Sequence, residues 1–138
     1  MIPQDAHGAV AEVAPAMAAY AQRFIEKDLW NRPELSRRDR SLVTVAALIS
    51  RNDTAELPYY LNVALDSGVK PAEISEVITH LAFYAGWPNA TSAALAARNV
   101  FSQRHIDTAS LPSDKVDFLP LDKESENQRA TMVESTFG

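Results

Sequence analysis

The sequence predicts an all-α domain, and three observations carry that prediction. Apolar residues recur at helical spacing through most of the first hundred positions. No segment alternates apolar and polar residues as a half-buried strand would. Proline and glycine stand where helices should begin and end.

Residues 10–26 read as a first helix, Ala-rich, with a stripe of Val13, Met17, Tyr20, Phe24 and Ile25. Pro15 lies inside this span and either marks the true first turn or kinks the helix. Residues 28–35, DLWNRPEL, form a connector with Trp30 as its anchoring aromatic. Ser36, with Asp39 three residues on, approximates a capping box and opens the second helix. The nearly unbroken apolar run 42–49 makes it the central helix, covered on nearly all sides. After a break at 51–55, a third helix runs from about 56 to 67, with Pro58 in its first turn and Gly68 as its stop. The fourth lies within 72–88, AEISEVITHLAFYAGWP, with Ile74, Val77, Ile78, Leu81 and Ala85 on one face. Pro71 suits its first turn and Gly86 a left-handed exit. Asn89 or Thr91 caps a fifth helix that continues to about Arg104.

Beyond Ile106 the character changes. Residues 107–121 hold two prolines, two serines and three aspartates, and read as a linker or an ordered strap. Residues 122–135 could form one polar helix with little apolar face. The chain therefore divides into a helical domain, 1–106, and a linker with tail helix, 107–138. The tail is expected to dock on a neighbouring subunit.

Bulk properties narrow the function. The 138 residues suffice for one domain with a real core, and 46% of them are hydrophobic. A net charge of -5 and an interrupted basic run, Arg37, Arg38 and Arg40, argue against nucleic acid and anionic membranes. No apolar run reaches membrane-spanning length, and the start lacks the basic and apolar regions of a signal peptide, so a cytoplasmic protein is expected. The sequence contains no cysteine, which removes disulfides, thiolate metal sites and thiol nucleophiles. His7, His80 and His105 are far apart in sequence, so no metal site or other cofactor is expected.

The titratable groups offer one candidate site. His80 sits mid-helix with Glu76 one turn before it and Tyr84 one turn after, as a proton-transfer centre would. Such a histidine can equally be a structural hydrogen-bonding group. Glu56 and Tyr60 are four apart and share a face of the preceding helix, where they could meet His80 across a short connection. They could also be a helix-dipole partner and a half-buried packing residue. Arg40, just inside a helix start, could clamp a carboxylate, or pair with a surface acid. Ser41 lacks a nucleophile-elbow context.

Three segments, LSRRDRSLVTVAALI, ELPYYLNVALDSGVKPAEISEVITHLAFYAGWPNA and SAALAARNVF, resemble the carboxymuconolactone decarboxylase family over about residues 28–104. The resemblance implies an all-helical, alkylhydroperoxidase-D-like fold, assembled as a ring of three or six copies. It implies a lyase of aromatic catabolism that decarboxylates a lactone carboxylate or a similar small acid. The family also holds thiol peroxidases. Their Glu, paired Cys and His would fall at Ser41, near Asp53 and Glu56, and at Tyr60, all substituted here, so peroxidase chemistry is excluded. The decarboxylase branch keeps histidines at the Tyr60 and His80 places; this chain has the second. The resemblance and the reading of the residues together give His80, Tyr60 and Glu56 as the catalytic candidates, and Arg40, Tyr84 and Trp87 as the substrate-binding ones. An isomerase, or a ligand-binding oligomer without catalysis, remains an alternative on the same scaffold. The tail, FLPLDKESENQRATMVESTFG, is similar to the lead-in that longer relatives place before the domain. A cyclic reordering or a truncated tandem repeat would explain its position.

Overall fold

The computed structural model describes residues 3–115 and 117–137. They form an all-α fold, with no strand among the described residues. Four helices build the core: α3 (Arg37–Ser50), α4 (Leu57–Asp66), α5 (Pro71–Tyr84) and α6 (Trp87–Gln103). An arm precedes them: α1 (Pro3–Val13), α2 (Pro15–Tyr20), a π-helical stretch Ala21–Glu26 and a 3-10 turn Leu29–Asn31. α7 (Lys123–Phe137) follows.

Local chemistry sets most of these boundaries. The first helix begins earlier than its apolar stripe suggests and is interrupted at Ala14, whose φ of -134° and ψ of 65° are not helical. Pro15 then opens α2, where its missing N–H is no loss. Ser36 caps α3 as expected, its Oγ accepting the Asp39 N–H at 3.0 Å. Gly68, at φ +97°, lets Val69 N–H reach back to Ala64 O at 2.9 Å and closes α4. Gly86, at φ +102°, ends one helix and caps the next. α6 therefore starts at Trp87, ahead of the expected caps. Asn89 instead donates from Nδ2 to the carbonyls of Ser50 and Ala85, both at 3.0 Å, and ties the ends of α3 and α5 together.

The core is continuous across the four helices. Val45 and Ile49 of α3 meet Leu57, Leu61 and Ala64 of α4, Ile74 of α5, and Ala93, Ala97, Val100 and Phe101 of α6. The small residues Ala90, Ala93 and Ala97 line one stripe of α6 and allow close approach by its neighbours. Each fully buried aliphatic side chain contributes about 1.5–3 kcal/mol of burial. Arg104 locks the far end of α6 to α4 through Asn62 at 2.9 Å and Asp66 at 2.7 Å.

Two expectations change. α3 touches α4, α5 and α6, but it is not covered all round, because Val43 is 62% exposed. The stripe of Val13, Met17, Tyr20, Phe24 and Ile25 is present, yet every member is exposed. The strap after α6 is ordered in part: Ile106 and Leu111 pack against the core of their own chain. Among the described residues, no helix is long and apolar enough to cross a membrane.

Candidate functional site

The arm, the connector and α4 meet at an aromatic and polar cluster. Leu57 is anchored in the core, and this fixes the register of α4. That register presents Tyr59 and Tyr60, half-buried, toward the arm. Their rings stand edge to face with centroids 5.0 Å apart. Trp30 stacks on Tyr60 at 5.8 Å, and Arg37, the first residue of α3, lies over the Trp30 face at 5.3 Å. Glu26, Trp30, Arg37, Tyr59, Tyr60 and Val63 enclose a cavity of about 70 Å³. Glu26 is the last residue of the π-helical stretch, a rare geometry often found at functional sites.

His7 of α1 closes one flank. Its Nε2 lies 3.4 Å from Glu56 Oε2, and its ring is 4.8 Å from that of Tyr59. Glu56 precedes α4, held by its N–H to Asp53 Oδ1 at 3.4 Å. The environment raises the Tyr60 pKa above the ordinary phenol value. Burial is the largest cause, followed by the negative charge of Glu56 and by Tyr59 and Glu26. The Tyr60 hydroxyl stays protonated at neutral pH, as an ordinary phenol does, and its raised pKa suits it to donate a hydrogen bond rather than to release its proton.

The predicted site residues separate into two groups. Glu56 and Tyr60 share the cluster. His80 is exposed, and its ring stacks on that of Tyr84 at 4.6 Å. Among the described residues it makes no hydrogen bond or ring contact with Tyr60 or Glu56. Tyr84 is 80% exposed, and Trp87 lies edge to face with exposed Phe83 at 6.0 Å. Trp87 and Phe83 border a shallow apolar groove between α5 and α6, with a volume of about 220 Å³. Arg40 donates from Nη2 to the carbonyls of Arg32 at 3.2 Å and Leu35 at 3.4 Å, bracing the connector. Ser41 is buried and donates to Arg38 O at 2.6 Å. Among the described residues, no three His, Cys, Asp or Glu side chains converge as metal ligands.

Sequence reasoning passed over His7, Glu26 and Arg37. Glu26 closes the first predicted helix and Arg37 opens the basic run, so both were visible as residues. Only the π-helical turn and the fold of the arm bring them to Tyr60.

The fold is an all-α domain with an aromatic and polar cluster around a small cavity. The chain belongs to the carboxymuconolactone decarboxylase family, whose sequence pattern matches residues 15–99. It is 37% identical over 87 residues to the 4-carboxymuconolactone decarboxylase of Acinetobacter baylyi, an alignment covering 63% of this chain and 65% of that protein. It is 32% identical over 74 residues to the nitrosuccinic acid decarboxylase of Metarhizium robertsii, covering 54% of this chain and 52% of the relative. The chain thus spans between half and two thirds of the length of these relatives. His7 lies ahead of the family match.

Proposed function

We propose that this protein is a lyase that removes a carboxylate, as carbon dioxide, from a small organic acid. The names of the two relatives support this reaction class, one acting on a carboxylated lactone and the other on a nitro diacid. The observation that carries the reading is Tyr60, a phenol kept protonated beside an aromatic cavity.

The chemistry asks for little. The bond to the carboxylate breaks, carbon dioxide leaves uncharged, and the electron pair passes to a lactone carbonyl or nitro group. The carbon then takes one proton. A neutral phenol can hydrogen-bond the developing oxyanion or supply that proton. Glu56, which contacts His7 at 3.4 Å, stands beside Tyr60 as a negative charge that opposes its ionisation, so a phenol that has given up its proton regains one from solvent. The Trp30 and Tyr59 faces give an apolar wall, which favours loss of charge from the substrate.

His80, with Tyr84 and Trp87, takes a second place in this reading. Their rings form an open aromatic surface, and His80 would join the chemistry once a second subunit covered it. Self-association, as a trimer or hexamer, is part of the proposal. It is supported by the exposed apolar side chains of the arm and of α5.

The test is carbon dioxide release from 4-carboxymuconolactone and from nitrosuccinate by the whole chain, followed with Tyr60→Phe and His80→Ala. The expected outcome is turnover of at least one acid. Tyr60→Phe should lower kcat about a hundredfold or more. His80→Ala should have the smaller effect. Turnover of neither acid, or full activity of Tyr60→Phe, would remove the reading.

A further inference from the structure

We propose that Arg37 is the residue that holds the substrate carboxylate, and that Arg40 is a positioning residue for the wall beside it. The three arginines of the basic run differ in their commitments. Arg38 pairs with Glu73 and, at 3.1 Å, with Asp39. Arg40 is tied to the carbonyls of Arg32 and Leu35, and its Nε is buried without a partner. Arg37 has neither kind of tie. Among the described residues, no carboxylate lies within 4.0 Å of its guanidinium, which lies over the Trp30 ring.

Charge within the cavity sharpens the assignment. Its lining includes Glu26, and Glu56 stands close enough to raise the Tyr60 pKa. An anion entering such a place is repelled unless a cation meets it. Arg37 is the cation of the described lining. It also sits at the N-terminus of a 14-residue helix, where the dipole adds to its attraction for anions. Cation, indole face and phenol then stand in sequence, Arg37 to Trp30 to Tyr60. A carboxylate on the guanidinium would lie at one end of this row, with the rest of the acid free to run along the indole toward Tyr60. The cavity of about 70 Å³ is large enough for little more than a carboxylate group, with the rest of the acid outside it. Arg40 acts at one remove. By fixing the carbonyls of residues 32 and 35 it holds the segment that carries Trp30.

The assignment rests on the decarboxylase reading for its role in turnover, and its test separates the two. Succinate, a diacid that lacks an activating group, serves as the binding probe. Isothermal titration calorimetry of the whole chain reports binding, and Trp30→Phe shows which part of the tryptophan emission belongs to Trp30. The expected result is saturable binding that weakens at least tenfold in Arg37→Gln, as loss of a charge-assisted hydrogen bond implies. Arg37→Lys should recover part of it, since the charge stays while the planar fork is lost. Arg23→Gln removes a cation that also lies over a ring, Phe24 at 5.2 Å, but outside the cavity lining, and should bind as the parent does. Arg40→Lys should shift the Trp30 emission without ligand, because the connector loosens. Succinate binding with this Arg37 dependence, but no turnover of either acid, sustains the anchor and sinks the decarboxylase. Turnover with unchanged KM in Arg37→Gln overturns the anchor. Absence of succinate binding by the parent, or equal losses in Arg23→Gln and Arg37→Gln, overturns it too.

Discussion

At the scale of single residues, Tyr60 carries the account, and its titration gives a direct check. Its folded pKa is raised, with burial the leading cause and Glu56 next. Its contribution to stability is therefore fully present below the unfolded phenol value of about 10, and is lost as pH rises through the higher folded value. In a near-ultraviolet titration, the phenolate signal that disappears in Tyr60→Phe should emerge above the ordinary phenol value of about 10. The alkaline limb of kcat/KM should lie in the same range. A Tyr60 ionisation at or below the ordinary phenol value would contradict the environment described here. Much of this residue chemistry was legible. Glu56 and Tyr60 share a face because they are four apart, and that alone marked them as a pair. Arg40 stands out in the sequence for its place just inside a helix start, and spacing alone does not show that its guanidinium braces the connector at the carbonyls of Arg32 and Leu35. Spacing tells which residues share a face of one helix, not which guanidinium a neighbouring loop will occupy.

At the scale of elements, the boundaries that have a chemical punctuation mark were readable. Ser36 with Asp39 fixed the start of α3, and Gly68 fixed the end of α4, because each satisfies backbone groups that a helix end leaves open. Gly86 was read as an exit alone, and the same residue also begins α6. The two functions merge because Trp87 and Pro88 can already adopt the first helical turn. The π-helical stretch left no mark in the sequence. Its register depends on a hydrogen bond from Lys27 N–H to Gln22 O at 3.1 Å, five residues back, and no residue preference announces that. Yet this turn delivers Glu26 to the cavity. The meeting of His80 with Tyr60 was expected because α4 and α5 are consecutive. Consecutive helices do adjoin in general, but their mutual rotation decides which faces meet, and α5 turns Ile74 to the core while His80 faces out.

At the scale of the whole molecule, the surface is more apolar than the core requires. Phe83 is 78% exposed, and the arm stripe and Leu95 are open as well. The segment before α7 adds Phe118, Leu119 and Leu121, all exposed. Where such side chains adjoin one another they offer a surface on which another chain can pack. The proposed use is contact between copies, with the 107–138 segment lying on a neighbour, since exchange of an element is a low-cost route to an oligomer. Leu111 limits the exchange, because it packs on its own chain and the departing segment must begin after it. Deleting residues 115–138 should lower the mass seen by light scattering at micromolar concentration, and an unchanged assembly would refute the role of the tail. All these scales converge on one place, the cavity between the arm and α4. The most direct measurement is a crystal structure of the full chain with succinate bound. The account predicts a carboxylate within hydrogen-bond reach of the Arg37 guanidinium, with the carbon chain running along Trp30 toward the Tyr60 hydroxyl. Succinate seated instead beside His80 and Tyr84, with the Arg37 cavity empty, would contradict it.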